Sequence, residues 1–211
     1  MSELQRLRRA GGGALKLLVD LLPHEWDPRS GDEDVCLIFA DISGYSDFVA
    51  ARGDDAAMSV LGVLDVKVAA AIEGRRGARV VKRLGDGLMI VARRNDDAVD
   101  IAVSLVDSFD QHAAAAGWPV RLRAGVHRGT SRRYADDYFG YHVNLTARIA
   151  QVADGGSVLT TASAMSDVDL ERIGATVRPA GELSAKGVTG PVDLFRVTRP
   201  AHPSAGARVA C

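Results

Sequence analysis

Cysteine is nearly absent from this chain: two occur in 211 residues, Cys36 inside an apolar run and Cys211 at the final position. With no CxxC pair and no Cys/His spacing, neither a zinc site nor a disulfide framework is indicated, and a reducing compartment is the default. Long hydrophobic runs are missing as well. No stretch approaches the roughly 18–20 apolar residues that span a bilayer, and the start, MSELQRLRRAGGGALKLL, lacks a secretory h-region with a cleavage site. The expectation is therefore no membrane association and a cytoplasmic location. Charge of one sign is absent too: 26 basic residues nearly cancel 27 acidic ones, leaving −1, which argues against a nucleic-acid binder that works by phosphate neutralisation. Lysine is scarce, with only Lys16, Lys67, Lys82 and Lys186 among the basic residues. A lysine at a chemically suggestive position is thus more informative here than in a lysine-rich chain. No internal repeat is visible.

What is present suits a globular fold. Hydrophobic residues make up 47% and charged residues 25%, which excludes a disordered or collagen-like chain. The length fits one domain with a little to spare. Leu4, Leu7, Leu15, Leu18, Val19 and Leu22 fall near a helical period broken by Gly11–Gly13, so 1–33 reads as a helical segment followed by a linker. The main domain is expected over 34–199, with 200–211 as a flexible tail.

Within the main domain, VCLIFAD (35–41) reads as a buried strand and ISGYSDF as the turn into a helix. Helices are expected over 55–73 and 96–116. RVVKRL (79–84) and LMIVAR (88–93) flank Gly85-Asp86-Gly87, the signature of a hairpin with Asp86 at its tip. VRLRAGVHRG (120–129) alternates as a half-buried strand, with Val120, Leu122, Ala124 and Val126 on one face. FGYHVNLTARIAQVADGG (139–156) reads as loop, helix and glycine stop. Strands follow at SVLTT, TVRPAGEL and PVDLFRVT, with one more helix over 162–173. Alternating strands and helices point to an α/β or α+β sandwich.

Asp41 ends a predicted strand and Asp86 caps a predicted hairpin, so adjacent strands would bring both carboxylates to one sheet edge. Hard divalent cations take one or two such carboxylates together with substrate phosphates. The same two residues also suit a helix N-cap and an ordinary turn. Next to Asp41, the turn Ile42-Ser43-Gly44-Tyr45-Ser46 leads into a helix whose free N–H groups would cradle phosphate.

Taken in order, FADISGYSDF, VVKRLGDGLM, RAGVHRG, DYFGYHVNLTARIA and SAKGVTGPVDLFRV resemble the class III adenylyl/guanylyl cyclase catalytic domain over about residues 34–199. The resemblance implies an α+β fold, a ferredoxin-like or palm-type sandwich whose central, mostly antiparallel sheet is covered by helices. It implies an adenylate cyclase converting ATP to 3′,5′-cyclic AMP and pyrophosphate, with a guanylate cyclase or a catalytically silent nucleotide-binding module as alternatives. Asp41, the Ile42 carbonyl and Asp86 then hold two divalent cations, Mg²⁺ or Mn²⁺. Asn144 and Arg148 form the transition-state pair, Arg123 and Lys186 contact the triphosphate, and Ser43, Gly44, Tyr45 and Ser46 cradle phosphate. Tyr45-Ser46 stands where Phe-Thr is usual in the family.

Lys82 and Asp137 fall on the family's purine-reading positions. A Lys donor and an Asp acceptor complement adenine, whose N1 accepts and whose N6 amino group donates; guanine presents the reverse polarity. Lys82 alone would equally suit a solvated strand charge. Two of the four lysines, Lys82 and Lys186, occupy family positions. The resemblance further implies a head-to-tail homodimer with two composite sites.

His127 resembles a family position but reads as a polar residue held in a strand. His24, His112, His142 and His202 show no ligand spacing and read as surface residues. Met58, Met89 and Met165 are expected in the core.

Overall fold

A computed structural model of the chain describes residues 30–185 and 187–200. The helical segment expected before residue 30, the tail after Pro200 and Lys186 lie outside the described residues. The chain order is β1 (Gly31–Ser43), α1 (Tyr45–Arg52), α2 (Asp54–Ile72), β2 (Arg79–Leu84), β3 (Gly87–Ala92), α3 (Asn95–Ala115) and β4 (Arg121–Tyr134). It continues with β5 (Asp137–Phe139), α4 (Tyr141–Val152), β6 (Val158–Thr160), α5 (Ala162–Met165), β7 (Thr176–Leu183) and β8 (Val192–Thr198). The strands form one sheet in the order β2-β3-β1-β4-β6-β8-β7, with β5 on β4. Among the described residues only the β4–β6 pair is parallel. The mostly antiparallel, helix-covered α+β sheet is the fold expected from the sequence.

β1 lies in the middle because it is apolar on both faces. Cys36, Ile38, Ala40 and Ile42 face a core built with α2 and α3, whereas Val35, Leu37 and Phe39 face a second core with Val143 and Ala150 of α4. Val120, Leu122, Ala124 and Val126 are all buried in the first core, as their alternation predicts. The opposite face of β4 is shaped by two glycines. A Cβ on Gly125 would lie 2.4 Å from the Ala150 backbone nitrogen, and one on Gly129 would lie 2.3 Å from the His142 ring. The glycines of RAGVHRG thus let α4 lie directly on the sheet.

Several expectations need correction. β1 is longer than 35–41: residues 31–33, assigned by composition to the linker, pair with Ser131–Arg133 of β4, and Asp32–Arg132 and Glu33–Arg133 ion pairs fasten them. The helix expected over 162–173 is only Ala162–Met165; Asp167 takes the left-handed conformation (φ 60°), and the Asp96 carboxylate captures the Asp169 N–H, which a continuing helix would need. Met58 is 65% exposed, since the buried stripe of α2 is Ala57, Val60, Leu64, Val68 and Ala71 and Met58 falls beside it. His142 is no free surface residue: its Nδ1 meets His127 Nε2 at 2.8 Å.

Candidate active site

The β2–β3 hairpin and β1 bring the two predicted acids together. Asp41 is the eleventh residue of β1, in register with Arg123 of β4, and Ala40 is in register with Leu88 just past the Gly85–Gly87 turn. Asp41 is therefore a strand residue and not the N-cap of α1, which is Gly44. Asp86 sits beside it at the hairpin tip. Its carboxyl is pushed above the usual range by desolvation and then by the negative charge of Asp41, offset in part by a backbone hydrogen bond and by Arg123. An Asp86 carboxylate whose charge is disfavoured in this way gains from a cation. Gly87 keeps the approach tight: a Cβ there would lie 3.0 Å from the Ala40 carbonyl oxygen and 3.3 Å from Asp41 Oδ1.

Arg123 donates from Nε (3.1 Å) and Nη2 (2.7 Å) to Asp41 Oδ2. Its Nη1 donates to the Gln151 carbonyl at 2.8 Å and the Ala153 carbonyl at 3.4 Å, at the negative end of α4. One guanidinium thus ties the acid pair to α4. The Ile42 side chain is buried in the core, while Ser43 ends β1, Gly44 at φ 82° turns the chain, and Tyr45 and Ser46 open α1. Tyr45 faces Asp86 closely enough that burial first, and then the charges of Asp86 and Asp54, raise its phenol pKa.

Lys82 and Asp137 form a separate group. Lys82 Nζ donates to Asp137 Oδ2 at 2.8 Å, each side chain about one-third exposed (32% and 31%). Lys82 Nζ also stands 5.5 Å from the Phe139 ring centroid, a cation–π distance. The β2–β3 register shifts between Val80 and Lys82, and such an irregularity re-aims the side chains that follow it. Asn144 and Arg148, one turn apart on exposed positions of α4, line a groove of about 370 Å³ with Gln151 and the Gly187–Val188 loop. Arg148 Nη1 donates to Gln151 Oε1 at 2.9 Å. A second cleft of about 270 Å³ holds Asp41, Arg123, Gly87 and, again, Gln151. Among the described residues, no hydrogen bond joins the acid pair, the Lys82–Asp137 pair and the Asn144–Arg148 pair to one another.

Gln151, Gly87, Phe139 and Glu33 were not singled out from the sequence. Gly87 was accessible from the Gly-Asp-Gly turn. Gln151 acts partly through its backbone carbonyl, which side-chain identity cannot reveal.

A family model of the adenylate and guanylate cyclase catalytic domain matches residues 28–198. The chain belongs to this family. Among relatives, a pH-sensitive adenylate cyclase of Mycobacterium tuberculosis is 32% identical over 179 residues, 82% of this chain and 43% of that protein. The chain spans less than half the length of the curated relatives it matches. Among solved structures, the adenylyl cyclase CyaB from P. aeruginosa aligns with a TM-score of 0.68 at 21% identity, over 81% of this chain and 96% of that one. The guanylyl cyclase Cya2 aligns with a TM-score of 0.66 at 22% identity, over 83% and 97%. Cyclases named for either purine thus share this fold, so the base must be argued from side chains. Among the described residues no helix is long and apolar enough to cross a membrane.

Proposed function

We propose that this cyclase domain is an adenylate cyclase that converts ATP to 3′,5′-cyclic AMP and pyrophosphate in a head-to-tail homodimer. The observation that carries the choice of adenine is the Lys82–Asp137 pair at 2.8 Å: an ammonium donor and a carboxylate acceptor side by side complement adenine's N1 and N6 amino group and oppose guanine's.

Asp41, the Ile42 carbonyl and Asp86 would hold two divalent cations, Mg²⁺ or Mn²⁺, whose charge when bound lowers the pKa of the ribose 3′-hydroxyl and offsets that of the triphosphate. The donor set fits: two carboxylates, no third His, Cys, Asp or Glu grouped with them among the described residues, leave coordination positions for phosphate oxygens. Asn144 orients the ribose so that its 3′-oxygen faces the α-phosphorus. As that bond forms and the bond from the α-phosphorus to the bridging oxygen breaks, Arg148 stabilises the charge on the α-phosphoryl oxygens. Arg123, Lys186 and the turn Ser43, Gly44, Tyr45 and Ser46 stabilise the departing pyrophosphate. For Arg123 this means exchanging its Asp41 partner for phosphate.

Support for two copies comes from the edge strand that carries Lys82. Val80 and Leu84 on edge strand β2, with Phe139 and Tyr141 close by, are exposed apolar residues (37%, 47%, 48% and 38%) around Lys82 and Asp137. In the dimer, Lys82, Asp137, Asn144 and Arg148 of one copy complete the acid pair of the other. The test is incubation of purified protein with Mn²⁺ and either ATP or GTP, with Asp41→Ala as control. Cyclic AMP from ATP is expected. Cyclic GMP in preference overturns the base assignment, and no cyclic product overturns the activity. Specific activity is expected to fall on dilution, and a constant value well below the dimer dissociation constant rejects the composite site.

A further inference from the structure

Strand β5 carries Asp137 but is only three residues long and, among the described residues, pairs only with the end of β4. A strand of that length is poorly held by its own ladder, so other contacts must fix the Asp137 carboxylate. The structure supplies them. Asp137 Oδ1 accepts the Tyr138 backbone N–H at 2.7 Å, which ties the carboxylate to the next residue. Tyr138 is 3% exposed, its ring packed in the core under α4, and its hydroxyl donates to Glu33 Oε2 at 2.6 Å. Glu33 Oε1 accepts from Arg133 Nη1 at 2.9 Å. The Arg79 guanidinium lies 5.6 Å from the Tyr138 ring centroid and donates to the Asp136 carbonyl at 3.1 Å.

We propose that Glu33 and Tyr138 are positioning residues for base selection: the Glu33–Tyr138 hydrogen bond fixes β5 and thereby the Asp137 carboxylate and its Lys82 partner. The proposal rests on Lys82 and Asp137 being the purine-reading pair. The Tyr138 hydrogen bond, joined by the Arg133 guanidinium, holds the Glu33 carboxyl below its usual range against the opposing effect of desolvation.

The test measures KM and kcat for ATP and for GTP in Tyr138→Phe, Glu33→Ala, Glu33→Gln and Asp137→Ala. Loss of one hydrogen bond of this kind is expected to raise KM for ATP about fivefold in Tyr138→Phe and Glu33→Ala, and to lower the ATP-over-GTP preference by a similar factor, with kcat within about twofold. Glu33→Gln keeps an acceptor for the hydroxyl and is expected to restore wild-type preference. Tyr138→Phe added to Asp137→Ala is expected to change preference no further, since both act through one carboxylate. An unchanged preference in Tyr138→Phe and Glu33→Ala, beside a lowered one in Asp137→Ala, overturns the proposal and leaves the base-reading pair intact. An unchanged preference in Asp137→Ala overturns the pair itself, and the proposal with it. Equal losses for both nucleotides in Tyr138→Phe assign Glu33 and Tyr138 a purely structural role and also overturn the proposal.

Discussion

The acid pair and the proposed base-reading pair are held by different kinds of force. Asp41 projects from the central strand of the sheet, whose register with β4 runs without a break from Gly31–Arg133 to Ser43–Arg121. Its position follows from the backbone ladder, from the tight approach of Gly87 to the Ala40 carbonyl, and from the α4 contact that only glycine permits at Gly125. Lys82 and Asp137 sit on the edge strand β2, where the register shifts, and on the three-residue β5. Their positions follow from side chains: the ion pair itself, the Glu33–Tyr138 bond and two cation–π contacts. The difference teaches that the acid half of the candidate site is set by the backbone of the sheet, while the half proposed to select the base is adjustable one side chain at a time.

The sharpest division between the two regions should come from Arg148→Ala. Arg148 stands on an exposed position of α4 with its Nη1 on Gln151 Oε1, so its loss should leave the fold and ATP binding largely intact while kcat drops about 10²–10³-fold. Equal losses in nucleotide affinity and turnover, read by equilibrium binding beside steady-state kinetics, would contradict the transition-state role.

Next in size, Gly125→Ala tests the backbone-held region. The added Cβ would meet the Ala150 nitrogen at 2.4 Å and the Thr146 carbonyl at 2.9 Å, and neither backbone can yield without lifting α4. Destabilisation of about 3 kcal/mol by chemical denaturation is expected, at the upper end for overpacking. A change under about 1 kcal/mol would mean that α4 floats on the sheet.

Acid should act on the same α4–β4 contact. His127 is buried on β4, with Nδ1 on Thr161 and Nε2 on His142, and burial, reinforced by His142, lowers its pKa from 6.5 to about 4. An unfolded chain binds this proton below about pH 6.5 and the folded one only near pH 4. The stabilisation is therefore fully present above pH 6.5 and is lost as the pH falls toward 4. Between pH 7 and pH 5 the loss should be on the order of 2 kcal/mol, measured by denaturant titration, and His127→Gln should flatten that part of the profile. The smallest effect belongs to Tyr138→Phe, the about fivefold change in KM described above: it should move base preference without moving the acid site.

Much of the fold was legible because its period is simple. β1 could be found because a strand buried on both faces must be apolar throughout, and the β2–β3 hairpin because Gly-Asp-Gly between two strand-like runs has few other solutions. The acids were legible for the same reason, each lying at the end of a recognisable element. The linker assignment of 31–33 failed because acidic residues there meet Arg132 and Arg133 a hundred positions away, and composition carries no record of such a partner. Met58 and His142 failed on orientation: a helix period narrows the buried stripe only to within a residue, and His142 is drawn inward by the space that Gly129 leaves on another element.

By itself, the sequence determined the order and type of the main elements, the family, and the chemical identity of the acids, the lysine and the arginine, because periodicity and side-chain chemistry are local properties. Only the tertiary structure decided that Arg123 pairs with Asp41 and Tyr138 with Glu33. Those pairings span 82 and 105 residues, and they depend on strand register, which no local pattern encodes.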